Sequence, residues 1–148
     1  MIIKKILVPY DSSPLSKKAL ELAKDLARNF NSELELFMVI PVYYPISDPI
    51  FSTAAVTNYQ SIIKTLKDKG EKEMRKVTEI CREEGAKATY KIAYDDVSNA
   101  ILKEAKKSKA SLIVMGSRRM VGLSSIKRLG STARYVSEHA SCPVTLVH

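Results

Sequence analysis

Short runs of apolar, often β-branched residues alternate along this chain with longer stretches whose apolar positions recur every three or four residues. Ile2 to Val8 (IIKKILV) is a run of the first kind and predicts a buried strand ended by Pro9. Asp11-Ser12-Ser13-Pro14 then carries the oxygen acceptors and the proline that open helices. Leu15, Ala19, Leu22, Ala23, Leu26, Ala27 and Phe30 follow at helical spacing, and Asn31-Ser32 closes the stretch. Glu33 to Ile40 (ELELFMVI) begins in alternation and turns continuously apolar, as a strand entering a covered sheet does. From Pro41 to Thr57 no period survives among Pro41, Pro45 and Pro49, which predicts a long loop. A long helix is expected from about Asn58 to Glu84, with Ile62, Leu66, Met74, Val77 and Cys81 on its stripe. Gly85 stands where a C-terminal glycine belongs, and Gly70 inside weakens the helix.

Ala88 to Tyr94 (ATYKIAY) alternates as a third strand. Asp95-Asp96 can cap a helix from Val97 to Lys107 with Ile101 and Ala105 inward. Ser111 to Met115 (SLIVM) is a fourth strand stopped at Gly116, followed by a loop with room for a short helix. Ser131 or Thr132 is expected to cap a last helix carrying Ala133, Val136 and Ala140. Cys142 opens a final strand through Pro143 to Val147 (PVTLV). Strand and helix alternate throughout, which argues an α/β domain: an open, parallel five-stranded sheet in three layers, helices on both faces. Its 148 residues suit one domain, taken as residues 1–148.

In such a sheet, ligands bind beyond the carboxyl ends of the strands, where strand order reverses. The loops after Val8, Ile40, Ala93 and Met115 are therefore the places to look for chemistry. Two are loaded: Pro9-Tyr10-Asp11-Ser12-Ser13, and Gly116-Ser117-Arg118-Arg119. Gly116, Gly122 and Gly130 are three of only five glycines, and Gly130-Ser131-Thr132 directly precedes a helix. Glycine lets amides approach an anion, hydroxyls add donors, and a helix start adds partial positive charge. Arg118 and Arg119 would contribute charge-assisted contacts. On residue types alone the competing reading stays open: glycines serving tight turns and a serine serving as a cap. A Walker A loop is excluded, since five residues separate Gly116 from Gly122 and Leu123 stands where its lysine belongs. No dinucleotide GxGxxG follows the first strand.

Charge and cysteine content refine this only modestly. The 24 basic and 16 acidic residues give +8, and between Lys103 and Arg134 only Glu104 opposes nine basic side chains. An anionic ligand, a nucleic acid or a merely solvated face are the options. Cys81 and Cys142 sit inside element patterns without a CxxC, so reduced thiols and a cytoplasmic location are expected. Met1 to Tyr10 does not read as a leader, since its apolar run stops at Pro9, and no stretch is long enough to span a bilayer.

The opening KKILVPYDSS, the strand and loop ASLIVMGSR, the closing GSTARYVSEHASCPVTLV and the five-strand order resemble the universal stress protein (UspA-like) family over nearly the whole chain. The resemblance implies a Rossmann-like sheet of order 3-2-1-4-5, akin to the adenine nucleotide alpha hydrolases, with both loaded loops in one crevice. It further implies a stress-response protein of the cytoplasm that binds ATP or a related adenine nucleotide, magnesium accompanying it. Nucleotide-binding members carry glycine, two residues, glycine, nine residues, then Gly-Ser/Thr. Gly116 matches the first glycine, and Gly130 with Ser131 the terminal pair. Arg119 holds the middle glycine's place, and ten residues separate it from Gly130. Arg119 therefore either obstructs the phosphates or pairs with them, and Gly122 offers a shifted register.

By the same resemblance Asp11 lies beside adenine and ribose, flanked by Pro9 and Tyr10, and the backbone of Val39 meets the adenine edge. Met115 and Thr132 line the pocket. A homodimer is implied through the terminal strand, Val144, Thr145, Leu146 and Val147.

Enzymatic turnover is not expected beyond weak, incidental ATP hydrolysis. His139 and His148 are the only histidines, neither in a predicted crevice loop, so no nucleophile–base pair suggests itself. His139 and Cys142 make an isolated HxxC, too few groups for a metal site. Asp95 and Asp96 are acidic enough for magnesium, but capping explains them. Two family readings stand, a nucleotide binder and a member acting through dimerisation and protein partners. A nucleic-acid role rests on net charge alone, with no aromatic platform to support it.

Overall fold

The computed structural model describes residues 2–42, 53–121 and 127–148, and for 53–56, 119–121 and 127–128 the backbone alone. Five parallel strands form the main sheet: β1 (Lys5–Pro9), β2 (Glu33–Ile40), β3 (Lys87–Tyr94), β4 (Leu112–Gly116) and β7 (Val144–Val147). Their order is β3-β2-β1-β4-β7, so the sheet carries the expected 3-2-1-4-5 arrangement once the two short strands before β7 are set aside. Helices α1 (Pro14–Phe30), α2 (Thr53–Glu83), α3 (Val97–Lys107) and α4 (Ser131–His139) make the crossovers.

Side chains that alternate along the strands divide between two cores. Ile6, Val8, Leu34, Leu36, Leu112 and Val114 bury under α1 and α2. Leu7, Phe37, Ile113 and Met115 bury on the opposite face beneath α3 and α4. The β1–β2 register sets Lys5 beside Glu33 and Pro9 beside Phe37, while β1 meets β4 through Ile6–Leu112 and Leu7–Ile113. The chain therefore departs from β1 in opposite directions, and the reversal opens a gap above the carboxyl ends of β1 and β4.

Several expectations are corrected. β1 begins at Lys5 and includes Pro9, whose missing N–H does not prevent it staying in register with Phe37. β4 runs Leu112–Gly116: Ser111 instead turns its hydroxyl to the Lys4 and Lys5 amides, 2.9 Å from each. β7 starts at Val144 rather than Cys142. In the segment after Gly116 the described residues form an antiparallel ribbon, β5 (Arg119–Val121) with β6 (Lys127–Leu129), and the room left for a short helix, 122–126, lies outside the described residues. α2 begins at Thr53, so the expected loop is shorter; what remains of it, 43–52, and Gly122 lie outside the described residues.

The apolar stripes also run longer than the surfaces they cover. Leu22, Phe30, Ile62 and Leu66 are exposed, and α1 buries Ser16, Ala19, Leu20, Ala23, Lys24 and Ala27 instead. Among the described side chains of α2 the buried face starts at Gly70, where an added Cβ would sit 3.1 Å from Met38 Sδ. That glycine brings the helix close to β2 rather than merely weakening it. Cys81 and Cys142 are free thiols, and among the described residues no helix is long and apolar enough to cross a membrane.

Candidate functional site

The first crevice loop is shaped by a chain of local hydrogen bonds. Beyond β1 the Tyr10 amide donates to the Phe37 carbonyl at 2.9 Å, holding the loop over β2. Ser13 caps α1, its Oγ accepting from the Ser16 amide at 3.2 Å, with Pro14 in the first turn. Asp11, expected beside a ribose or as a cap, is not the cap: its Oδ1 accepts from the Ser13 amide at 3.0 Å. Partial burial opposes its ionisation, but donors from Ser13 and Ser16 outweigh that and hold the carboxyl below the usual aspartate range. Ser12 takes φ 65°, left-handed backbone that a non-glycine residue adopts at some cost. Its hydroxyl and that of Tyr10 both lie 3.4 Å from Glu73 Oε1 of α2. Burial, and then the nearby Glu73 carboxylate, push the Tyr10 phenol up to about 12. Tyr10 thus borders the crevice while its ring belongs to the core.

The second loop leaves β4 at Gly116. Ser117 is buried; its amide donates to the Val147 carbonyl at 2.8 Å, and its carbonyl accepts from His148 Nδ1 at 3.0 Å. Its hydroxyl has no partner among the described residues. Arg118 is exposed on the rim, and its carbonyl accepts from the Gly130 amide at 3.0 Å, closing the base of the β5–β6 ribbon. The expected caps Ser131 and Thr132 are not caps: Gly130 is, with no side-chain hydrogen bond. The first amides of α4 are left without a side-chain acceptor, since glycine has none to offer.

These loops enclose a cavity of about 510 Å³. Pro9, Tyr10, Asp11, Val39, Met115, Gly116, Arg118, Gly130, Ser131 and Thr132, picked out from the sequence, all line it. Arg119 opens β5 in register with Leu129; its side chain lies outside the described residues. Phe37, Val97, Ile101 and Met115 furnish an apolar wall that suits a flat ring, and Asp11 faces the same space. Sequence reasoning missed Val97 and Ile101, although their i, i+4 spacing directly after the Asp95-Asp96 cap was a usable signal. It also missed the contact of His148 with Ser117, which depends on the β4–β7 register.

The remaining candidates are used elsewhere. Asp96 caps α3, accepting from the Asn99 amide at 3.0 Å, and Asp95 pairs with Lys103 at 2.7 Å. Lys106 and Lys107 occupy the last turn of α3, where cations suit the helix dipole. α3 begins at the crevice, so this turn lies about 14–15 Å further along its axis. Lys106 and Lys107 therefore do not share the crevice rim with Arg118. Among the described residues no three His, Cys, Asp or Glu side chains group as metal ligands would.

Comparisons with known proteins agree with this architecture. The model of the universal stress protein family matches residues 3–148. A universal stress protein of Methanocaldococcus jannaschii is 34% identical over 146 residues, covering 99% of this chain and 82% of the relative. One from Bacillus subtilis is 32% identical over 151 residues, covering 97% of each. Among solved structures, universal stress protein UspA from Lactobacillus plantarum superposes with a TM-score of 0.81 at 23% identity, covering 100% of this chain and 99% of that one. An Archaeoglobus fulgidus universal stress protein in complex with dAMP gives 0.66 at 20% identity with full coverage of both chains. A universal stress protein in complex with cAMP gives 0.71 at 19%, covering 100% and 99%.

Proposed function

The chain belongs to the universal stress protein family, and from that premise we propose that its crevice binds an adenine nucleotide in a regulatory rather than a catalytic role. One observation carries the reading: ten residues from separate strand ends and one helix start converge on a single cavity at the reversal of strand order. The base would lie against Val39, Met115, Val97 and Ile101, its edge toward the backbone of β2. Asp11, ionised through neutral pH, would accept from ribose hydroxyls. Ser131 and Thr132, at the uncapped start of α4, would meet phosphate. Family members solved with dAMP and cAMP support the ligand class. We assign no protein-held magnesium, because Asp11 is the one carboxylate lining the crevice among the described residues. No histidine lines it there either, which supports binding without turnover. Free thiols, one of them buried, support a cytoplasmic setting.

Isothermal titration with adenine nucleotides tests this. Binding should be measurable at protein concentrations of about 100 µM, and Asp11→Ala should weaken it about tenfold or more while the fold persists. Absence of heat with every adenine nucleotide would leave the other family reading, action through partner proteins.

A further inference from the structure

The stance of Asp11 in the crevice depends on the residue that follows it. The bond from the Ser13 amide to Asp11 Oδ1, 3.0 Å long, closes over Ser12, so the Ser12 backbone decides where that carboxylate stands. Ser12 holds φ 65°, a left-handed conformation disfavoured by a factor of about five to thirty in a residue with a Cβ. A contact from elsewhere has to hold it there.

That contact comes from α2. The Ser12 hydroxyl donates to Glu73 Oε1 at 3.4 Å, and the Tyr10 hydroxyl reaches the same oxygen at the same distance. Asp11 is thus flanked on both sides by residues tied to one carboxylate. Both bonds are long, but a charged acceptor strengthens them. The raised Tyr10 phenol, with Glu73 second only to burial among its causes, agrees with an ionised carboxylate at that distance. Glu73 is also firmly placed. It stands three residues after Gly70, where α2 closes on Met38, and one before Met74, which is fully buried. Neither Ser12 nor Glu73 is among the side chains that line the cavity.

We infer that Glu73 is a positioning residue for the crevice: it holds Ser12 left-handed and, through Ser12, presents the Asp11 carboxylate to the ribose. This rests on the nucleotide reading above and extends it to a residue of α2.

Titration calorimetry with AMP and with ATP, at about 100 µM protein, is the test. Glu73→Ala should weaken binding about fivefold, and Glu73→Gln, which keeps an acceptor oxygen, by no more than about twofold. Ser12→Ala breaks the same link from the other end and should lose about as much. The double variant, Ser12→Ala with Glu73→Ala, should then bind no more weakly than either single one. Ser12→Gly makes left-handed backbone accessible without help, so on that background Glu73→Ala should cost less than about twofold. Circular dichroism and thermal melts establish that each variant is folded at the titration temperature. A purely stabilising Glu73 would lower melting midpoints and leave affinities alike. Full affinity in Glu73→Ala, or an equal loss on the wild-type and Ser12→Gly backgrounds, would overturn the inference and leave nucleotide binding in place. If the wild-type chain binds neither AMP nor ATP, the nucleotide reading falls and this inference with it.

Discussion

The α-carbon of Gly116 lies so close to Leu15 that a methyl group on it would stand 2.7 Å from the Leu15 carbonyl carbon and 2.9 Å from its oxygen. The glycine that ends β4 thus serves the close seating of α1 on the sheet, and through it the width of the crevice floor. Gly116→Ala should cost about 1–3 kcal/mol, because helix backbone rather than a flexible side chain must move. Gly130 is the contrast. Its φ of −59° suits any residue, and an added Cβ would meet nothing nearer than the Arg118 carbonyl oxygen at 3.8 Å. Gly130→Ala should cost only about 0.5–1 kcal/mol, the difference between glycine and alanine as an N-cap. Thermal melts of the pair decide it, at about 2–4 °C per kcal/mol for a chain of this length; equal midpoints would refute the packing role of Gly116.

Glu35 predicts a pH dependence of stability. It is 2% exposed in mid-sheet on β2, its Oε1 without a partner among the described residues, with Lys91 Nζ at 3.5 Å and Lys5 Nζ at 3.9 Å from Oε2. Glu104 of α3, itself buried, shares the site and takes Lys91 at 2.5 Å. Burial first, then the neighbouring Glu104 carboxyl, raise the Glu35 carboxyl above its ordinary value, against the pull of both lysines. A raised carboxyl holds its proton better in the folded than in the unfolded chain. Its contribution is therefore complete below the ordinary glutamate range and fades as pH climbs through the folded value. Glu35→Gln should raise the melting midpoint at neutral pH, with the gain vanishing near pH 4 (about the ordinary glutamate value). A constant difference across that range would contradict the assignment.

Much of this fold was legible because covered parallel strands leave dense apolar runs and helices leave stripes: β2, with its Glu33–Ile40 run, and α3 came out with their observed limits. What sequence could not convey was where a helix outruns its sheet. Ile62 and Leu66 carry a core-like spacing, yet among the described side chains of α2 the buried face starts only at Gly70. The crevice was readable through Asp11 and Gly130-Ser131, since an open parallel sheet places the loops beyond β1 and β4 at the reversal of strand order. Ser117 was not, because its burial follows from the pairing of β4 with β7. The β5–β6 ribbon gave no alternating signal over three residues a side, too short for a periodicity to declare itself.

Lys24 predicts how little a buried ion pair contributes when its partners stay wet. Its side chain is 7% exposed, with Nζ 2.6 Å from Glu84 and 2.8 Å from Glu21, joining α1 to the residue just past α2. Burial alone would lower its pKa, but hydrogen bonds to the two glutamates hold it above the lysine value, so the link persists until strongly alkaline pH. Glu84 and Glu21 can return to water if it is removed, since 44% and 67% of their side chains are exposed. Lys24→Met, which keeps the apolar stem, should change stability by less than about 1 kcal/mol, and Lys24→Ala by about 1–2 kcal/mol. Urea unfolding measures both; a loss above about 3 kcal/mol for the methionine variant would mean that the charge itself is essential.

The outer edge of β7 predicts where a second copy would attach. Among the described residues β7 pairs with β4 alone, and the Pro143 and Val147 carbonyls accept from the Ile113 and Ser117 amides. In a parallel ladder, backbone groups of alternate residues point to the same side. Pro143, Thr145 and Val147 therefore turn inward to β4, and Val144 and Leu146 present their amides and carbonyls outward, as an unpaired edge does. The homodimer that the family resemblance implies would form by pairing these edges. Leu146→Pro removes one outward N–H and leaves the β4 ladder whole, so it should yield a folded monomer. Thr145→Pro removes an inward N–H and should lower the melting midpoint as well, since proline inside a ladder costs a hydrogen bond that nothing replaces. Analytical ultracentrifugation at about micromolar protein, far below typical weak-contact affinities, separates the outcomes. A wild-type chain that sediments only as a monomer there would exclude the edge-paired dimer, and a Leu146→Pro variant that stays dimeric would place the contact elsewhere on the molecule.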